Sequence, residues 1–360
     1  MNPWYAPPPG SRSGVADYAE TLRRALIRLG TWNVPVYHLG NNPLHAEIYR
    51  QALAAPGVVV LHDAVLHHFL LGTLGRERYI EEFVYNYGEW RRHLAEDLWE
   101  ERAASGVDAR YFRYPMLKRA LEGARAVIVH NPGAAAMARA HGGENISVIP
   151  HFFEPIAVPD RAATGRFRQR IGVAQTATLF GIFGYLRETK RVLASIAAFR
   201  RLHREMPDTA LLLAGEVVSA DLARLLAAEA EHPAIRRLGH LGERDFLVAA
   251  ASIDCCLNLR YPAAGETSGI AIRMMGIGKP VIVTAGEEVE DIPDIACLRV
   301  TPGVAEAAEL FDHMILVARF PQIARDIGKE AARHIREHHT LEQVAGRYGE
   351  VLKALCAAGS

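Results

Sequence analysis

The chain has 360 residues, half of them hydrophobic, which is enough for about two domains with a core each. Its 41 Lys and Arg balance its 41 Asp and Glu, so no global field draws it to nucleic acid or to an anionic membrane, and any anion site has to be built locally. The cysteines, Cys255, Cys256, Cys297 and Cys356, lack C-x-x-C spacing and three sit in apolar runs, as free core thiols do in a reducing compartment. The start lacks a basic segment followed by an apolar one, and no apolar run approaches the roughly 18 residues that cross a bilayer, so the expected location is cytoplasmic.

Short β-branched runs alternate with longer helical patterns, which predicts an α/β chain with parallel sheets covered by helices. The first part, 1–153, has strand candidates at 34–39, 58–62, 126–130 and 146–150, with 79–123 reading as one long helical insertion. A linker falls at 151–160, where Pro155 and Pro159 break both periodicities. A second wound sheet over 160–330 takes strands at 178–183, 210–214, 236–241, 254–259, 281–284 and 297–300. From about residue 320 the chain reads as helical, with 341–355 amphipathic, and 331–360 is expected to pack back toward the first domain. Two doubly wound lobes then face each other across one hinge.

Ligands of wound sheets bind at the carboxyl ends of strands, beside helix N-termini, so the candidate residues lie just after strands. The loop Pro7 to Asp17, with Ser13 and Gly14, feeds a helix as a phosphate-facing turn or a plain turn. His62 and Asp63 end a strand, with His67 and His68 following. Offsets of five and six residues do not share a helical face, so a metal reading gives way to His62 as a polar pocket residue. Tyr79, Phe83, Tyr85, Tyr87, Trp90 and Trp99 crowd the insertion and read mainly as packing. In Gly181-Ile-Phe-Gly-Tyr-Leu-Arg-Glu-Thr-Lys-Arg191 two glycines allow close approach, and Arg187 and Lys190 suit a diphosphate; cations at a helix start otherwise oppose its dipole. Neither a Walker loop nor a G-x-G-x-x-G after a strand is present. Finally, Glu266 follows a strand and precedes a short helix, either as a ligand-facing acid or as a first-turn acid with Thr267 or Ser268 as cap. Arg273 lies among Ile270, Ala271, Ile272, Met274 and Met275 and needs an anionic partner or a route to solvent, the partner being Glu266, an acid such as Glu290, or a bound phosphate.

With these residues in place, the sequence resembles the retaining glycosyltransferases of family four, which have the two-lobed GT-B fold. The carriers run in order along nearly the whole chain: the loop ending Ser13-Gly14, Tyr37-His-Leu-Gly-Asn41, Pro56 to Asp63, Val127-Ile-Val-His130, Val148-Ile-Pro-His151, Phe183 to Lys190, Leu238-Gly-His-Leu-Gly242, and Gly265-Glu-Thr-Ser-Gly269 followed by Gly278-Lys-Pro-Val-Ile282. The resemblance implies that Arg187 and Lys190 hold the diphosphate of a nucleotide sugar, that Glu266 contacts the donor sugar and that His62 lies near it. It further implies donor contacts from Ser13, Gly14, Gly184 and Leu241, and from Thr267, Ser268, Gly269 and Arg273. Two positions depart from the family pattern. The second glutamate, which in the family binds the ribose, is replaced by Arg273 or Met274, and the arginine directly after the glycine of the basic motif is Tyr185, with Arg187 as substitute.

The implied activity is metal-independent, retaining transfer of a sugar from a UDP- or GDP-linked donor to a glycan or lipid-linked acceptor, as in bacterial polysaccharide or glycoconjugate synthesis. No resident cofactor and no nucleic acid is expected; peripheral membrane association and the oligomeric state stay open. The rivals are a nucleotide-sugar epimerase of the same fold and a non-catalytic nucleotide-sugar-binding partner subunit.

Overall fold

The computed structural model describes residues 2–11, 13–229 and 231–357. Arg12, within the Pro/Gly/Ser loop singled out above, and 358–360, at the end of the C-terminal segment, lie outside them. The first lobe holds a parallel sheet of β1 (Trp4–Tyr5), β2 (Val36–Leu39), β3 (Val58–Leu61), β4 (Ala126–Val129) and β5 (Ile146–Val148), in that spatial order. The second holds β6 (Thr178–Phe183), β7 (Thr209–Ala214), β8 (Ile235–Leu238), β9 (Cys255–Asn258), β10 (Val281–Thr284) and β11 (Leu298–Val300), ordered β11-β10-β9-β6-β7-β8 and all parallel.

Alternate side chains of these strands enter different cores, which is why the strands read as continuous apolar runs. In β3, Val59 and Leu61 join one layer while Val58 and Val60 join the other. In β7, Ala210, Leu212 and Ala214 face one layer and Leu211 and Leu213 its opposite. β1 escapes the sequence reading because it is two residues long and follows Pro3. β8 ends at Leu238 rather than at residue 241, so Leu241 stands in the loop before the helix Glu243–Ser252.

The insertion is four helices rather than one: Arg76–Tyr87, Arg92–Glu100, Arg110–Arg113 and Lys118–Glu122. Its first break falls at Gly88, whose φ of 90° suits glycine. Tyr79 and Phe83 are fully buried, as the packing reading expects, whereas Trp90 is exposed under the Arg91 guanidinium. At the other end of the chain, the helix Pro321–His338 packs on the second lobe through Ala331 and Ile335. The chain then returns to the first lobe. The helix Leu341–Ala357 buries Val344, Ala345, Tyr348 and Leu352 there, with the Tyr348 and Tyr18 hydroxyls 3.3 Å apart. Among the described residues no helix is long and apolar enough to cross a membrane.

Candidate active site

In the second lobe, crossovers leave in opposite directions from the adjacent strands β6 and β9, which pair at Phe180–Cys255 and Gly181–Cys256. Such a switch point opens a crevice outside the carboxyl ends of the two strands. From β6 the chain turns at Gly184, where a φ of 78° favours glycine and an added Cβ would stand 3.1 Å from Lys190 Nζ. Arg187 follows, with no ion pair among the described residues and its guanidinium 5.9 Å from the Tyr185 ring centre. Lys190 closes a short turn, is buried, and donates from Nζ to the Phe183 carbonyl. Burial first, and the Arg260 guanidinium second, lower its pKa to about 7. Arg191 then takes the left-handed conformation at φ 55° and grips the buried Glu306 carboxylate through Nε at 2.9 Å and Nη2 at 2.6 Å, tying this turn to the helix Glu306–Arg319.

From β9 the chain runs through Arg260 into the Glu266 loop and the helix Gly269–Gly276. The Ser268 hydroxyl accepts the Ala271 N–H at 3.2 Å, so the cap is Ser268 and not Thr267. Glu266 instead accepts from Arg260 Nη1 at 2.6 Å and from the Ala264 N–H at 2.8 Å, with its side chain 15% exposed. Two of its roughly four lone-pair positions are thereby taken. Arg260, which the sequence reading missed, also reaches Ser268 Oγ at 3.2 Å.

Both stretches open into one cavity of about 1960 Å³ between the lobes, whose wall includes Arg187, Lys190, Glu266, Gly269 and Arg273. Gly184 and Gly14 lie on the same wall; Ser13 precedes the helix Gly14–Leu29 without a side-chain cap bond and is not on it. Three expectations need correction. Leu241 packs against the second-lobe core rather than facing this cavity, because β8 stops short of it. Thr267 and Ser268 line a separate cavity of about 240 Å³ behind the loop, which Arg260 and Glu266 also border. Arg273 pairs with neither Glu266 nor Glu290 but with Glu243, and stacks 4.1 Å over the Phe246 ring, both from the helix after Leu241.

His62 is also displaced from its expected place. Its Nε2 meets His38 Nδ1 at 2.9 Å, its ring lies against Tyr18 and His130, and it is absent from the wall of the large cavity. Burial, helped by the neighbouring imidazoles, holds its pKa well below the ordinary histidine value, so it is neutral. Its neighbour Asp63 takes the cleft position instead, oriented by the Asn41 N–H at 2.8 Å. Burial, and then the Glu266 carboxylate, push Asp63 up to about 6. A folded-state pKa above the unfolded one means that the folded chain holds the proton longer, so this group's contribution to stability falls as pH rises from about 4 to about 6. Asp63→Asn is therefore expected to melt higher than the wild type at pH 7.5 and to lose that advantage near pH 4; differential melting at the two pH values measures this, and an equal or lower melting temperature at pH 7.5 contradicts it.

No protein-family model matches the chain, and no curated protein matches its sequence. Solved structures do resemble it. HepE from Anabaena, solved with UDP, is 16% identical with a TM-score of 0.64, over 98% of this chain and 100% of that one. WaaG, a glycosyltransferase involved in lipopolysaccharide biosynthesis, is 15% identical at a TM-score of 0.67, over 98% and 99%. Sucrose-phosphate synthase from Thermosynechococcus elongatus is 18% identical at 0.61, over 90% and 74%. Together with the two parallel sheets and the cleft between them, these likenesses establish that the chain has the GT-B fold of glycosyltransferases.

Proposed function

We propose that this protein is a glycosyltransferase that moves a sugar from a UDP- or GDP-linked donor to a glycan or lipid-linked acceptor in the cytoplasm, with retention of configuration and without metal. The observation that carries the reading is the convergence, on one cleft at the switch point, of Arg187 and Lys190 from one strand end and Glu266 from the other. HepE solved in complex with UDP-glucose supports a nucleotide-sugar donor, and WaaG supports a role in glycoconjugate synthesis.

In this reading Arg187 and Lys190 stabilise the charge that develops on the departing diphosphate, and no divalent ion is needed to do so. Glu266, held by Arg260 and the Ala264 N–H, accepts hydrogen bonds from donor-sugar hydroxyls with its remaining lone pairs. Asp63 brings a first-lobe carboxylate to the same space. The ribose and base fall toward the Glu243–Arg273 pair on the cavity wall, where the resemblance has a glutamate that this chain lacks. The lobes together exclude water, which protects the donor from hydrolysis.

The test is incubation with a panel of sugar nucleotides and acceptors in excess EDTA. Release of nucleoside diphosphate together with a glycosylated acceptor is expected, at the rate seen without chelator. A changed sugar without diphosphate release would assign an epimerase, binding without turnover a partner subunit, and loss of activity restored by manganese or magnesium a metal-dependent transferase.

A further inference from the structure

The loop that carries Glu266 belongs to the second lobe by sequence, yet its flanks are held by the first. Asn131, just past β4, is 1% exposed. Its Oδ1 accepts the Ala134 N–H at 2.7 Å, capping the helix Pro132–Ala140. A backbone N–H can only donate, so this bond fixes which way the amide points. Nδ2 faces across the seam and donates to the Gly265 carbonyl and to the Thr267 hydroxyl, both at 3.0 Å. On the other flank the Ala64 and Val65 N–H groups both donate to the Ala264 carbonyl, at 2.8 and 3.1 Å. Residues 264, 265 and 267 are thus bonded to the opposite lobe, and Glu266 stands between them.

The seam leaves no slack at this point. Gly265 has a φ of 70°, and a Cβ on it would lie 2.6 Å from that of Ala64. Ala64 directly follows Asp63, so one contact sets the two carboxylates against each other. Two residues past Asn131, a Cβ at Gly133 would come within 2.9 Å of Glu287 Cβ, so the start of the Asn131-capped helix is pressed on the second lobe as well.

We propose that Asn131 is a positioning residue for sugar transfer: its side-chain amide lets the first lobe align the Glu266 loop, so the donor-sugar contact is complete only when the lobes are together. The inference rests on the donor-sugar reading of Glu266 given above. It separates two properties of the cleft. Arg187 and Lys190, the diphosphate ligands of that reading, belong to the second lobe, whereas the sugar contact depends on both lobes.

Asn131→Asp tests this, because aspartate keeps the shape and the helix cap while losing the two N–H donors and setting an oxygen against the Gly265 carbonyl. Asn131→Ser, which also caps but is too short to span the seam, is the second variant. In both, kcat is expected to fall at least about tenfold while nucleoside diphosphate affinity stays within about twofold, and the Ala64 and Val65 amides are expected to exchange hydrogen at least about tenfold faster. Turnover within twofold of wild type, matching losses of turnover and diphosphate affinity, or unchanged exchange at Ala64 and Val65 would overturn it. A wild-type protein that turns over no sugar nucleotide would sink the parent reading instead, and the exchange rates would still decide whether Asn131 holds the loop.

Discussion

Replacing Lys190 by alanine is expected to weaken nucleoside diphosphate binding by about tenfold to about a hundredfold and to lower turnover at least as much, since a hydrogen bond to a charged group contributes roughly 1.5 to 3 kcal/mol. The fold should survive, because the substitution removes a buried ammonium whose charge the surroundings already disfavour. The same burial gives the effect a pH signature. With a pKa of about 7 in the free protein, Lys190 is losing its charge near neutrality, and an arriving diphosphate restores it. Binding therefore takes up a proton above pH 7, and affinity declines as pH rises beyond that point. Stability moves the opposite way. The unfolded chain binds the proton up to about pH 10.5, so the contribution of this group to stability grows between about 7 and 10.5. Calorimetric titrations at pH 6.5 and 8.5 check the first slope; a Lys190→Ala variant with wild-type affinity, or an affinity flat across that range in the wild type, contradicts the assignment.

Glu266→Gln separates sugar recognition from diphosphate binding. A first-turn acid acting on a helix dipole contributes about 0.3 to 1 kcal/mol and has little bearing on turnover. The Glu266 carboxylate, however, is held by Arg260 and the Ala264 N–H and lies on the wall of the cleft. Glutamine keeps the shape and one acceptor oxygen but loses the charge, so turnover should fall at least about tenfold. The bare diphosphate carries no sugar, and Arg260, released from its partner, adds positive charge on the Lys190 side, so its affinity should not decrease. Turnover and diphosphate affinity falling together would instead make Glu266 a support of the whole pocket.

The second-lobe sheet was legible because both faces of β6, β7, β9 and β10 are buried, which writes them as apolar runs ending in functional turns. Lys190, Arg187 and Glu266 follow from one rule, that ligands meet wound sheets at strand ends. The same rule points to Arg260, the first charged residue after the run Cys255 to Leu259, although nothing local says that Glu266 is its partner. His62 and Asp63 show how fine the distinction is. Successive side chains of a strand face opposite ways, and His62 continues the Val58–Val60 row into the layer beneath Tyr18, which leaves the cleft to Asp63. Arg273 announces a need for an anion by its apolar neighbours, but Glu243 lies thirty residues away on another helix. Asn131 was invisible for the same reason: a strand-end asparagine reads as a helix cap, and its second set of bonds exists only across the seam between the lobes.

The most direct test of a cleft divided into a diphosphate end and a sugar end is calorimetric affinity for a nucleoside diphosphate, UDP or GDP, on the wild type, Lys190→Ala and Glu266→Gln side by side. Binding is expected in the wild type, to be kept in Glu266→Gln and to drop at least about tenfold in Lys190→Ala. Equal affinities in all three proteins, or a loss confined to Glu266→Gln, would contradict the account.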